Sequence, residues 1–262
     1  MLQDILSVLS GTIVGFTLGL IGGGGSILAV PLLVYVVRIG STHLAIGTGA
    51  VAVAASALIN LAGHARAGHV RWACALVFAA AGVIGAFAGA ALGKRVDGDL
   101  LLALFGLLMV VVGLAMLRRK TGGDAQPRLD RRTAPRLAVS GFVVGGLSGF
   151  FGIGGGFLVV PGLIFSTAMP LLNAIGSSLV SVTAFGTATA SSYAISGLVD
   201  WRIAGLFVVG GVFGGILGTV LAKRLAAQRQ TLNYVFAGIV IAVGVSIMLQ
   251  GVRTLWNAGL VS

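Results

Sequence analysis

The sequence predicts an all-α, polytopic integral membrane protein of about 8 membrane segments. It predicts two homologous halves, with an inverted arrangement preferred to a parallel one, each opening with a Gly-broken or re-entrant helix. Three observations carry this. Hydrophobic residues make up 57% of the chain and charged residues only 9%, where a soluble domain carries about 25% charged residues. The mean hydropathy is +1.08, and the charges cluster so that long apolar runs, of spanning length, lie between them. Two glycine clusters interrupt such runs in the same way: Gly22-Gly23-Gly24-Gly25, followed by Pro31, and Gly152-Ile153-Gly154-Gly155-Gly156, followed by Pro161. Glycine costs about 1 kcal/mol in a helix interior and proline about 3, so these are places where a helix is meant to break.

The chain begins Met1-Leu2-Gln3-Asp4, without a basic n-region or a following cleavage site. The first apolar segment is therefore expected to stay in the mature protein. Residues 5–37 are too long for one straight crossing of a core about 30 Å thick and too short for two complete ones. A helix folded back at Gly22–Gly25 fits that length, provided that protein or a wet cavity surrounds the irregular backbone.

Residues 42–63 read as the next span, and a short loop holding His64, Arg66, His69 and Arg71 follows, with Trp72 as an interfacial anchor. Residues 73–93 span again, with Gly85, Gly89 and Gly93 on one face for close helix approach. Lys94, Arg95, Asp97 and Asp99 make a turn, and residues 100–117 span back. The first half is thus 1–117. Residues 118–136 are a basic loop with Arg118, Arg119, Lys120, Arg128, Arg131, Arg132 and Arg136, expected to be cytoplasmic. The second half is 137–251, and 252–262 is a C-terminal tail.

The pattern repeats about 130 residues on. Gly15, Gly19, Gly22, Gly24, Gly25, Pro31 and Leu33 reappear as Gly145, Gly149, Gly152, Gly154, Gly155, Pro161 and Leu163. With a one-residue shift, Ala45-Ile46-Gly47 matches Ala174-Ile175-Gly176, Gly68-Val70-Trp72 matches Gly197-Val199-Trp201, and Lys94-Arg95 matches Lys223-Arg224. Two halves with an interrupted helix in the same place point to a transporter site between them. If the opening segments are re-entrant, the halves are inverted and the cytoplasmic side holds 12 of the 17 Lys and Arg; if they cross, the halves are parallel and it holds 11. The charge counts leave both open; the length of residues 5–37 favours inversion.

The glycine breaks with their downstream Pro, the Ala-Ile-Gly-[Ser/Thr] segments, the Gly-x-Val-x-Trp turns and the tandem repeat together resemble the sulfite exporter TauE/SafE family of membrane permeases, over nearly all of residues 5–250. The resemblance implies a multi-pass permease of a bacterial inner membrane. It also implies, as substrate, sulfite, an organosulfonate or a related small anion. The first break, Gly-Gly-Gly-Gly-Ser, departs further from the family form than the second.

The residues themselves suggest how an anion could be held. The spans contain almost no Lys or Arg, so backbone amides at a helix start are the available positive ends. Gly22, Gly23, Gly24, Gly25 and Ser26, with Gly152, Gly154, Gly155 and Gly156, are expected to present them without a Cβ in the way. Thr48, Asn60, Ser177 and Ser178 are expected to add hydroxyl and amide donors; the commoner fate of such groups is a bond to a carbonyl of their own helix or to a neighbouring helix. His64 and Arg66 form a candidate proton or anion relay, against the plainer reading of interfacial charge. Asp200 is expected to pair with Arg202 in its loop.

Several functions are excluded or disfavoured. The net charge of +11 sits in short loops, as the positive-inside bias requires, so no nucleic acid is implied. Cys74 is the only cysteine, which excludes an internal disulfide and a cysteine metal cluster. There is no HExxH motif and no phosphate loop, since Gly22–Ser26 lacks the Lys, and no catalytic, metal or cofactor residues are assigned. The expected partners are a small anion and the lipid bilayer. A channel and a non-transporting assembly protein are the alternatives to a carrier.

Overall fold

The computed structural model describes residues 1–118, 130, 133–152, 156–224, 237–238 and 240–249. The protein is all-helical over these residues. Helix α1 (Leu2–Ile21) ends in a 3-10 segment, Gly22–Leu28, which runs into the short α2 (Ala29–Pro31) and a π-helical turn, Leu32–Val36. Then come α3 (Thr42–Arg66), α4 (Trp72–Gly93), α5 (Gly98–Arg118), α6 (Thr133–Phe151), α7 (Gly156–Thr167), α8 (Leu171–Ile195) and α9 (Trp201–Arg224). A last described helix, α10, covers Val240–Leu249. Among the described residues, 6 helices are long and apolar enough to cross a membrane: α1, α3, α4, α5, α6 and α9. Helix α8 is as long as α3, at 25 residues, but is rich in Ser and Thr and lies in the middle of the bundle.

The first glycine cluster folds the chain back on itself. Gly22 adopts φ 75°, a left-handed conformation that only glycine takes without strain, and this ends α1. The returning limb comes back to where α1 began: Gln3 Nε2 donates to the Val37 carbonyl at 3.2 Å. Residues 1–37 are therefore a re-entrant hairpin, with both ends on one side of the bundle. The second hairpin is built likewise. Gly152 has φ 68°, and Ser166 on the returning α7 donates to Ser140, midway along α6, at 2.9 Å.

Glycine contacts fix the helix directions. Gly11, Gly15 and Gly19 of α1 press on the backbone of Phe207, Gly211 and Gly215 of α9, so these two helices run parallel. Gly141, Gly145 and Gly149 of α6 press on Phe78, Gly82 and Ala86 of α4, again in parallel. These two are the most extensive helix pairs, and any Cβ at the glycines would overlap the facing main chain. Helices α3 and α8 are antiparallel, with Gly47 against Tyr193 and Gly186 against Ala50 and Ala54. Helices α5 and α10 are antiparallel too, with Gly106 at Gly244 and Gly113 at Ile241.

These directions give the bundle two ends. The first gathers the starts of α1, α3, α5 and α9 and the ends of α4 and α8. The second gathers the starts of α4, α6 and α8 and the ends of α3, α5, α7 and α9. Helix α6 thus starts at the opposite end from α1.

One expected contact is corrected. Arg202 does not pair with Asp200; its Nη2 meets Asp4 at 3.0 Å, joining the starts of α9 and α1. Asp200 instead caps α9, its Oδ1 accepting from Ile203 N at 3.0 Å. The cap wins because a carboxylate at a helix start satisfies amides that would otherwise go unpaired. Most of the basic loop, residues 225–236 and the 252–262 tail lie outside the described residues.

Candidate functional site

The two hairpin tips and the two Ala-Ile-Gly-[Ser/Thr] segments interlock. Gly22 lies on Ile175 of α8, where a Cβ would come within 2.6 Å of the Ile Cγ2. Gly152 lies on Ile46 of α3, again with no room for a Cβ. The glycine after each Ile receives a turn carbonyl: Gly47 abuts Leu198 O, and Gly176 abuts His69 O, where a Cβ would be 2.7 Å away. The hydroxyl after that receives a turn amide. Asp200 N donates to Thr48 Oγ1 at 2.9 Å, and Arg71 N donates to Ser177 Oγ at 2.9 Å.

Each triplet plus hydroxyl therefore holds a hairpin tip with its Ile, and a helix-entry turn with its Gly and its Thr or Ser. Asp200 and Arg71 are the residues that open α9 and α4, so Thr48 and Ser177 satisfy amides at those helix starts. Both hydroxyls are fully buried.

The predicted site residues form two groups. Near the second end are Gly22, Ser177, Ser178, His64 and Arg66, with Asn60 deeper along α3. Near the first end are Gly152, Gly156 and Thr48. Ile46 and Tyr193 lie at about one level, and from Ile175 to Tyr193 is roughly eighteen residues of α8, or about 27 Å. A sulfite-sized solute therefore cannot touch Gly22 and Gly152 together. The sequence reading, which brought both breaks to one point, is corrected in this respect: the hairpins turn near opposite ends, and it is their returning limbs that meet, the 3-10 segment packing on α7.

Individual residues differ from expectation in instructive ways. Gly22–Leu28 wind as a 3-10 helix, whose amides bond to carbonyls three residues back. Gly25 lies against the backbone of Leu18 and the side chain of Thr17. Ser26 is fully buried. Gly156 is buried and opens α7, while Gly154 and Gly155 lie outside the described residues. Ser178 takes the local route, donating to Ile175 O at 2.7 Å. Asn60 Nδ2 donates to Ser56 O at 2.9 Å, and Thr219 Oγ1 of α9 donates to Asn60 Oδ1 at 3.2 Å. His64 is buried, its ring 5.7 Å from that of His69, and Arg66 is exposed.

Among the described residues, charge is confined to the ends. Arg66 and Arg71 are exposed at the second end. At the first, Lys94 Nζ donates to Ser192 O at 3.1 Å and Ser196 Oγ at 3.0 Å, tying the end of α4 to the end of α8. Asp97, Asp130 and Asp200 accept from backbone amides at the starts of α5, α6 and α9. A cleft of about 390 Å³ at the first end is lined by Tyr35, Ser41, Thr42, Asp97 and Asp99; sequence reasoning missed it, although Asp97-Gly98-Asp99 was a signal. The roles of Ile46 and Ile175 were missed too, although both stand in the repeated triplets. No group of His, Cys, Asp or Glu among the described residues could hold a metal ion.

Comparison with known proteins finds similarity to membrane transporters. The family model described as "Sulfite exporter TauE/SafE" matches residues 7–247. A "Probable membrane transporter protein" of Xylella fastidiosa (strain 9a5c) is 54% identical over 246 residues, which is 93% of this chain and 94% of the relative. The "Probable membrane transporter protein YunE" of Bacillus subtilis is 26% identical over 270 residues, 95% of this chain and 98% of the relative. The "Sulfite exporter TauE/SafE family protein 5" of Arabidopsis thaliana is 28% identical over 163 residues, 58% of this chain and 36% of that protein. No solved structure matches the chain.

Proposed function

This chain belongs to the sulfite exporter TauE/SafE family, and from that premise we propose that it carries small anions, sulfite or organosulfonates, across a bacterial inner membrane by alternating access. The family match and the relatives named as membrane transporters support a multi-pass membrane transporter. The observation that carries the mechanism is the reciprocal docking of hairpin tips: Gly22 on Ile175 and Gly152 on Ile46. In this reading α1–α5 and α6–α10 are inverted repeats, and each hairpin tip is seated on the central helix of the other repeat.

Inversion supplies the two states. Helices α1 and α9 are locked by interleaved glycines, as are α4 and α6, so each pair moves as one body. The antiparallel α3 and α8 stand between them. Rocking the pairs against α3 and α8 exposes the returning limbs first to one end and then to the other. The second end, with Arg66, Arg71, Arg118 and Arg136, is the cytoplasmic one by the positive-inside bias. The inside-negative potential would drive a net anion outward without a coupling ion.

The test is flux into vesicles. Purified protein in liposomes is expected to give saturable sulfite uptake, accelerated by sulfite on the far side. Gly24→Val is expected to lower it strongly while the protein still folds. Flux without saturation or counterflow would make the protein a channel, and no flux of sulfite, sulfonates or chloride would end the transport reading.

A further inference from the structure

We propose that the solute is held in the seam between α3 and α9, by Ser56 and Asn60, and not in the corresponding seam between α8 and α4. This rests on the anion-carrier reading above and names the residues of that site. In the repeat, Ser56 and Asn60 stand where α8 has Phe185 and Thr189. The two seams are therefore alike in backbone and unlike in chemistry.

In the α8–α4 seam, the Phe185 ring lies against Gly82 and stacks on Phe78 with centroids 6.2 Å apart. At Phe185 that seam is filled by the two rings, and its remaining polar group is the Thr189 hydroxyl, fully buried and without a partner. In the α3–α9 seam, Ser56 Oγ points at the bare Cα of Gly211. Ser56 is 1% exposed, and its hydroxyl has no hydrogen-bond partner. One turn on, the Asn60 amide lies against Gly215, where a Cβ would be 2.7 Å from Nδ2.

An unmade hydrogen bond here needs a reason, because the local remedy is at hand. Ser7, Thr12, Thr167, Thr183 and Thr187 all donate to the carbonyl four residues back. Ser56 does not, and neither do the buried Ser148, Ser181 and Thr189, but of these only Ser56 has an amide side chain one turn on, at Asn60. At membrane depth a hydroxyl without a partner is costly. The donor inventory favours an oxyanion. One of the two Asn60 Nδ2 hydrogens goes to Ser56 O, and the single Thr219 hydroxyl proton is shared between Gly215 O at 2.8 Å and Asn60 Oδ1 at 3.2 Å. The other Nδ2 hydrogen and the Ser56 hydroxyl remain to donate. No Asp or Glu lies on α3 or within α9 to oppose an anion, and no Lys or Arg lies between Arg38 and Arg66 to hold it permanently. Neutral donors bind weakly enough to release what they carry. The seam is closed in this conformation, so a solute enters when the α1–α9 pair swings off α3.

The experiment is thiol accessibility in a Cys74→Ser background, which removes the only native thiol. Ser56→Cys and Asn60→Cys, with Phe185→Cys and Thr189→Cys for comparison, are reconstituted and treated with MTSES, a small thiol reagent that carries a sulfonate. Positions 56 and 60 are expected to react about tenfold faster than 185 and 189, and ethanesulfonate is expected to slow them several-fold. Ser56→Cys changes a single atom, so its result stands even where Asn60→Cys disturbs folding. Equal reactivity at 56 and 185, or no protection by ethanesulfonate, would overturn the assignment. Because this readout needs no transport, the seam can fail while sulfite flux persists, and flux can fail while the seam still binds a sulfonate.

Discussion

Gly22→Ala isolates the contact on which the proposed mechanism turns. The new Cβ meets two independent penalties. It must sit at φ 75° and ψ −148°, a region essentially reserved for glycine that costs an L-residue about 1–3 kcal/mol. It must also fit 2.6 Å from Ile175 Cγ2, where carbon atoms rest at about 3.5–4.0 Å. Ile175 is buried, so the tip must shift by roughly an ångström, an overpacking cost of about 1–3 kcal/mol. Together these give a loss of about 2–6 kcal/mol. Ile175→Leu moves the branch away from Cβ and by itself costs less than about 1.5 kcal/mol. In the double variant the overlap is relieved and the φ penalty stays. Equilibrium unfolding in detergent of all four proteins should then give a coupling of about 1–2 kcal/mol in favour of the double variant. Additivity within about 0.5 kcal/mol would mean that the tip does not bear on Ile175, and the reciprocal docking would fall.

Two further predictions concern the turns. Thr48→Val and Ser177→Ala each remove the acceptor of a partly buried amide, and each should destabilise by about 1–3 kcal/mol, read as a fall in melting temperature; loss from only one of them would break the equivalence of the two contacts. Asp200→Ala should cost about 1 kcal/mol through the α9 cap, with Asp200→Asn close to native. Arg202→Ala, which removes an exposed pair with Asp4, should change stability by less than about 0.5 kcal/mol; the reverse ranking would restore the pairing expected within the loop.

Much of this could be read from the sequence because it is local or periodic. Four consecutive glycines end an α-helix, here by passing into a 3-10 turn, and the length of residues 5–37 left a hairpin as the best fit. Glycines four residues apart announced the α4–α6 and α1–α9 contacts without naming the partners. What stayed hidden was long-range. Thr48 reaches an amide 152 residues away and Ser177 one 106 residues away, and nothing at either position says whether a span hydroxyl turns to its own helix, as Ser178 does, or across. Asp200 was assigned to Arg202 by adjacency, but a helix start competes for a carboxylate and prevailed. The meeting of both breaks at one point was an inference from symmetry; symmetry places equivalent points apart as readily as together.

The arrangement of the two halves is open to one direct measurement. Lys94→Cys and Lys223→Cys, each in a Cys74→Ser background, are labelled with an impermeant thiol reagent in right-side-out and in inverted membrane vesicles. Reaction of position 94 only from outside and of position 223 only from the cytoplasmic face is the predicted result. Reaction of both from the same face would contradict inverted halves, and with them the exchange of hairpin tips that the transport cycle needs.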